Sequence, residues 1–236
     1  MSWIVVVPVK PAAAGKSRLE APGVDRVALA RAIALDTIAA AAACAEVGQV
    51  VVVTDDGMLA LGAAGIPGLR FEPETPASAA PPTGDSAPSP VAPPEPGSSR
   101  PHDAALAVLA AGGSRLDAAV AIGAAVADGR PTAALLGDLP ALRPEDLAQA
   151  LEAAASVDRA VVADAEGTGS TLVTAGAGVP WASSFGDGSL ARHVALGCAP
   201  LDVPADSTLR RDVDTADQLE AARALGLGPR TSALLD

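Results

Sequence analysis

WIVVVPVKPAAAGKSRLE, residues 3–20, decides how the rest of this 236-residue chain is read. Trp3–Val9 is a short run rich in β-branched residues, without alternation, closed by proline and small residues. That pattern belongs to a strand buried on both faces, as in a parallel sheet covered by helices. The loop behind it ends in Gly15-Lys16-Ser17, the last third of a Walker A phosphate loop. Walker A needs a further glycine where Lys10 stands, and Pro11 beside it has no N–H to offer a phosphate. The loop is therefore read as a cation-bearing connection rather than as a P-loop.

The pattern repeats downstream. Strand-like runs at Gln49–Thr54, Arg70–Phe71, Thr132–Leu136, Ala160–Ala163 and Ser170–Thr174 alternate with helical stretches. The helices are expected at Val24–Ala45, Asp56–Ala64, 102–111, 114–128, Pro144–Ala155 and Ser189–Leu196. A last short strand, Leu209–Val213, precedes a helix at Thr215–Leu225. Strands alternating with helices imply one α/β domain with a mostly parallel sheet covered on both faces. Residues 73–101 interrupt it with ten of the chain's 21 prolines. They are expected to be a mobile insertion in a domain spanning 1–228, with 229–236 as a tail.

Composition narrows the function. Half of the residues are apolar, aromatics make up only 2%, and the net charge is −12. So acidic a chain is not expected to bind nucleic acid or an anionic membrane surface. Lys10, Lys16 and Arg18 are a local basic exception suited to a small anion. Two cysteines make neither a disulfide framework nor a zinc site, and no apolar run is long enough to span a bilayer. A cytoplasmic protein is expected.

In open α/β sheets, ligands bind beyond the carboxyl ends of the strands. Asp55 and Asp56 follow the second strand, and Asp138 follows TAALL within Gly137-Asp138-Leu139-Pro140. Asp212 and Asp214 stand at the last strand, on one face by its period of two. Alone, Asp138 is equally consistent with a turn or helix cap, and either late aspartate with an N-cap. Together, strand-end carboxylates suit Mg²⁺, which takes one or two of them and leaves its other positions to water and phosphate. His102 and His193 lack metal-site spacing, and His193 reads as a surface or supporting residue.

PVK…GKSRL (8–19), LLGDLPAL (135–142), DAEGTGSTL (164–172), FGDGS with ARH (185–193) and LRRDVDT (209–215) stand in an order that resembles the guanylyltransferases of coenzyme F420 biosynthesis. These belong to the nucleotidyltransferase superfamily, with its GT-A-like, Rossmann-type fold. The resemblance covers about 1–72 and 101–226. It implies transfer of guanylyl from GTP to phosphoenolpyruvate, or in archaeal relatives to 2-phospho-L-lactate, with release of pyrophosphate. It also implies Mg²⁺ on Asp138 and Asp214, with Asp212 competing for the second place. Lys10, Lys16 and Arg18 would hold the GTP phosphates, and Thr171, Gly186 and Ser189 the phosphoenolpyruvate. The product would pass to the next enzyme of the pathway, and the oligomeric state stays open between monomer and homodimer. Members often have Asn where Asp117 stands, so guanine recognition is left unassigned.

Other readings compete. A molybdenum-cofactor nucleotidyltransferase would carry a Gly-rich AGGxSxRM loop after the first strand, and a sugar-transferring GT-A enzyme an Asp-x-Asp at the central strand end. A nucleotide-binding regulatory protein would use the same pocket without turnover.

Overall fold

The valine run is strand β1, Trp3–Pro8, with every residue buried. The computed structural model describes residues 2–12, 19, 21–75 and 101–236. After β1 come α1 (Arg26–Ala43), β2 (Val47–Val53), α2 (Gly57–Gly62) and β3 (Leu69–Glu72). Beyond the proline-rich segment follow α3 (Pro101–Ala110), α4 (Arg115–Ala127), β4 (Thr132–Leu135), α5 (Pro144–Ala154), β5 (Arg159–Ala163) and β6 (Ser170–Ala175). The chain closes with α6 (Ser189–Ala195), β7 (Ala199–Pro200), α7 (Ala216–Leu225) and α8 (Pro229–Leu235). Most of the expected mobile insertion, residues 76–100, lies outside the described residues.

Seven strands form one sheet in the order β3-β2-β1-β4-β6-β5-β7. β1 pairs in parallel with both β2 and β4, and β6 runs antiparallel to β4 and β5. The sheet is thus mostly parallel and mixed, as the strand–helix alternation implies. Side chains alternate across β1. Trp3, Val5 and Val7 meet Ile38 of α1 and Leu147 and Leu151 of α5. Ile4 and Val6 meet Ala118, Ala119 and Ile122 of α4. With both faces covered, neither set can be polar, which is why β1 reads as an unbroken apolar run.

A core so poor in aromatics depends on close approach. Gly123 of α4 sits directly over β1. A Cβ there would stand 2.3 Å from Val6 Cγ1 and 2.7 Å from Cγ2. Val6 is fully buried in the central strand and has nowhere to move.

Two regions differ from expectation. Leu209–Val213 is not a strand. Thr208–Arg210 is a single 3₁₀ turn, and the chain then runs irregularly to α7. The turn is fixed by Asp146, whose Oδ2 accepts from the Thr208 N–H at 2.7 Å and from its hydroxyl at 2.5 Å. Leu209 and Val213 are buried in separate clusters rather than paired with a neighbouring strand. Residues 229–235, read only as a tail, form α8 against α1. The buried Asp36 carboxylate accepts from the N–H groups of Arg230 and Thr231 at its start.

Gly123→Ala should gain about 1 kcal/mol of helix propensity yet lose more to overpacking against Val6. A net destabilisation of about 2 kcal/mol is expected, read by urea denaturation as a lower midpoint at unchanged slope.

Candidate active site

The site is built at the carboxyl end of β4, and a glycine makes it compact. A Cβ on Gly137 would meet Val9 Cγ2 at 3.0 Å and the Pro8 carbonyl at 3.3 Å, so glycine lets the chain leave β4 against the end of β1. Asp138 follows. Its loop is tied from three directions. Leu139 N–H donates to Thr37 Oγ1 on α1 (3.0 Å), and Gly228 N–H donates to the Pro140 carbonyl (2.7 Å). Val213 N–H donates to the Asp138 carbonyl (3.0 Å). This last bond draws Asp212 and Asp214 to Asp138 across a long stretch of sequence.

Asp138 and Asp214 line one cleft of about 250 Å³ together with Lys10, Arg31 and Asp56. Asp212 and Asp214 do not share a common environment, as an extended segment would have given them. Asp214 is exposed and Asp212 half-buried. Asp214 precedes the capping box of α7, where Gln218 Oε1 accepts its backbone N–H at 2.8 Å. Among the described residues, the buried Oδ1 of Asp212 has no hydrogen-bond partner. Burial, with the charges of Asp138, Asp164 and Asp214, pushes the Asp212 carboxyl up to about 7. Asp164 is itself a brace of the β5–β6 hairpin, its two oxygens accepting from Thr168 N–H (2.9 Å) and Gly169 N–H (2.7 Å). Among the described residues no three His, Cys, Asp or Glu side chains form a ready metal cluster.

Opposite these acids, the loop after β1 is anchored by Asp56. Its carboxylate caps α2, accepts from Ala12 N–H at 3.2 Å and pairs with Arg31 at 3.0 Å. Burial works against the charge, but the Arg31 guanidinium and the backbone N–H groups win, holding the Asp56 carboxyl below the usual range. Lys10 is exposed at the cleft mouth. Lys16 and Arg18 lie outside the described residues.

Thr171, Gly186 and Ser189 gather around the β5–β6 hairpin. The Thr171 carbonyl accepts from Leu136 N–H (3.0 Å), two residues before Asp138, and its own hydroxyl is buried without a partner. Gly186 has φ +113°, in the region that favours glycine. Ser189 is only 2% exposed. Its N–H donates to the Gly186 carbonyl, and its hydroxyl to Ser170 Oγ at 3.2 Å.

Two residues hold this wall. His193, read from the sequence as a surface or supporting residue, is a supporting one and fully buried. Its Nε2 accepts from Ser184 N–H (2.9 Å), so the proton sits on Nδ1, which donates to Ser170 Oγ (3.0 Å). Phe185 packs edge-on against the imidazole, ring centroids 4.8 Å apart. Asp117 is the second. Its Oδ1 accepts from Ser183 Oγ (2.8 Å) and Phe185 N–H (3.0 Å), and its Oδ2 from Ser114 Oγ (2.6 Å). The carboxylate is committed to tying α4 to the 183–185 loop. Ser114-x-x-Asp117 has the spacing of a capping box, the one sequence signal that foretold it.

The sheet order with a single reversed strand, and the strand-end acids facing a lysine-bearing loop, define an α/β protein with a candidate site beyond the carboxyl ends of its strands. No family model matches the chain. Curated proteins named phosphoenolpyruvate guanylyltransferase do. That of Thermomonospora curvata is 42% identical, covering 99% of this chain and 89% of its own length. That of Streptomyces scabiei is 43% identical, covering 99% and 95%. That of Sanguibacter keddieii is 44% identical, covering 100% and 84%. The chain belongs to the phosphoenolpyruvate guanylyltransferase family. Among solved structures, a nucleotidyl transferase from Methanothermobacter thermautotroptrophicus superposes with TM-score 0.49 at 15% identity, covering 95% of this chain and 97% of that one. Among the described residues no helix is long and apolar enough to cross a membrane.

Burial, opposed by Asp117 and reinforced by Arg192, pushes the His193 imidazole down to about 4. The unfolded chain protonates this histidine near pH 6.5 and the folded protein only near 4. Its contribution is therefore complete above pH 6.5 and lost as pH falls towards 4. Between these limits wild type should lose about 3 kcal/mol of unfolding free energy that a His193→Gln variant does not lose, measured by denaturant titration at each pH.

Proposed function

We propose that this protein joins phosphoenolpyruvate to the guanylyl group of GTP, releasing pyrophosphate, as a step in coenzyme F420 biosynthesis. Full-length identity above 40% to curated phosphoenolpyruvate guanylyltransferases supports the substrates. The meeting of Asp138 and Asp214 with Lys10 in one cleft, with the Asp212 carboxyl close to both aspartates, supports the chemistry, and it is the observation that carries the reading. Both substrates are intracellular metabolites, which favours the cytoplasm as the place of action.

The nucleophile is a phosphate oxygen of phosphoenolpyruvate, already ionised at neutral pH, so no general base is required. It attacks the α-phosphorus of GTP and forms a new P–O–P link. The bond from the α-phosphorus to the β-bridging oxygen breaks, and pyrophosphate leaves with the electron pair. The product is enolpyruvoyl-2-diphospho-5′-guanosine. The protein's task is to bring two mutually repelling anions into line and to hold charge-stabilising groups where the transition state needs them.

Carboxylates repel phosphates unless a cation stands between them. The residues present fit Mg²⁺: two cleft-lining carboxylates, Asp138 and Asp214, with the unpartnered Asp212 Oδ1 beside them, match a metal that needs only one or two protein ligands. Bound there, Mg²⁺ would neutralise the phosphates and make the α-phosphorus more electrophilic. Lys10 lies at the cleft mouth to attract the phosphate chain, with Lys16 and Arg18 proposed as its partners from the same loop. The Thr171 hydroxyl and the Gly186–Ser189 turn are proposed to take the acceptor carboxylate. Ser189 then acts through Ser170 and His193, which fix the turn, since its own N–H and hydroxyl are already used.

Pyrophosphate release from GTP, ATP or CTP, with phosphoenolpyruvate or 2-phospho-L-lactate as acceptor, tests this directly. Turnover is expected with GTP and phosphoenolpyruvate. Asp138→Ala should lower it roughly 100-fold or more, by analogy with the loss of one preorganised electrostatic group. Near-wild-type transfer by a folded Asp138→Ala protein contradicts the metal assignment.

A further inference from the structure

A second cavity of about 90 Å³ adjoins the main cleft, sharing Pro8, Lys10 and Leu116 with it. Pro8, Pro11, Leu116 and Ala119 give it apolar walls, Lys10 and Arg115 stand at it as cations, and Glu74 is its one carboxylate. We propose that this cavity is the nucleobase subsite and that Glu74 selects guanine by accepting from its N1–H and N2–H groups. The proposal rests on the guanylyl-transfer reading and names the residue that sets its nucleotide choice.

Position comes first. A ligand whose phosphates lie by Lys10 on the side of the main cleft can extend its other end, which in a nucleotide is the base, into this adjoining cavity. The chemistry of the walls agrees. Flat apolar surfaces suit the faces of a ring, and a lone acceptor suits its edge.

Glu74 is held for this role. Its backbone N–H donates to Asp55 Oδ1 at 2.9 Å, and Thr75 binds the same carboxylate through N–H and hydroxyl. Asp55 thus fixes the chain at the end of β3. The Glu74 carboxylate makes no hydrogen bond or ion pair among the described residues. Burial and the nearby Asp55 charge raise its pKa, against the pull of Lys10 and Arg115. This half-buried acceptor lacks a donor, and guanine brings two. Asp117, the other acid near this end of α4, has both oxygens occupied.

The bases differ in what they offer. Guanine presents N1–H and an N2 amino group side by side, a match for two carboxylate oxygens. Hypoxanthine keeps N1–H but lacks the amino group. Adenine turns a lone pair towards the carboxylate. A site that hydrogen-bonds a ligand's N–H rejects analogues without it far more strongly than an apolar pocket can.

Calorimetric titration of the full chain with GDP, IDP and ADP tests this, with thermal melts showing that the half-exposed Glu74→Gln variant folds. Wild type should bind GDP more tightly than IDP, and IDP more tightly than ADP. Glu74→Gln should bind GDP about 10- to 100-fold more weakly, the worth of a bidentate base contact, and lose most of its preference over ADP. A wild type that does not distinguish GDP from ADP, or a variant that keeps the full preference, overturns the proposal. Selective GDP binding without pyrophosphate release from GTP and phosphoenolpyruvate overturns the function and leaves the subsite standing.

Discussion

Like charges held close in a half-buried place repel one another, and the carboxyl end of this sheet is arranged around that repulsion. Asp138 leaves β4, Val213 binds its carbonyl, and Asp212 and Asp214 arrive on either side of that bond. Asp164 adds a fourth negative charge from the neighbouring hairpin. Such a cluster costs stability when it stands alone. It persists because separate parts of the fold hold it: Gly137 against β1, Thr37 of α1 on Leu139, the α8 junction on Pro140, and Arg210 on the Asp164 carbonyl at 2.8 Å. An acidic focus of this kind becomes useful when a divalent cation and nucleotide phosphates complete it.

The two walls of the site are built differently. One is the start of the loop after β1, where the Asp56–Arg31 pair holds the backbone at Ala12 and Lys10 is exposed. The other is a network in which Ser170 joins His193 to Ser189, and Asp117 holds Ser183 and the Phe185 N–H. Its polar groups are spent on fixing the 183–189 loop, and the Thr171 hydroxyl is left over.

Much of this was legible in the residues. β1, β4 and Val50–Val53 of β2 are buried on both faces, so each reads as an apolar run, whereas the Gly-Asp after β4 became a site candidate only together with Asp212 and Asp214. Leu209–Val213 misled because an apolar residue stands at each end of it. Leu209 and Val213 are buried in two different clusters, with Asp146 holding the turn. β7 is two residues long, too short to leave a pattern. α8 opens on Gly228-Pro229 without a side-chain cap, and its register is set by Asp36, far away in sequence. Asp117 and His193 were hidden because their partners are backbone groups and hydroxyls of distant loops. Glu74 was hidden by the proline-rich stretch beside it.

The central claim is that Asp138, Asp212 and Asp214 form a site that a divalent cation completes. Thermal denaturation of the full chain with increasing Mg²⁺, in wild type and Asp138→Asn, tests it most directly. Binding to the folded state should raise the wild-type midpoint by a few degrees, about what 1 kcal/mol of linkage gives in a domain of this size. Asp138→Asn should lose most of that response. A wild type indifferent to Mg²⁺, or a variant that responds equally, contradicts the account.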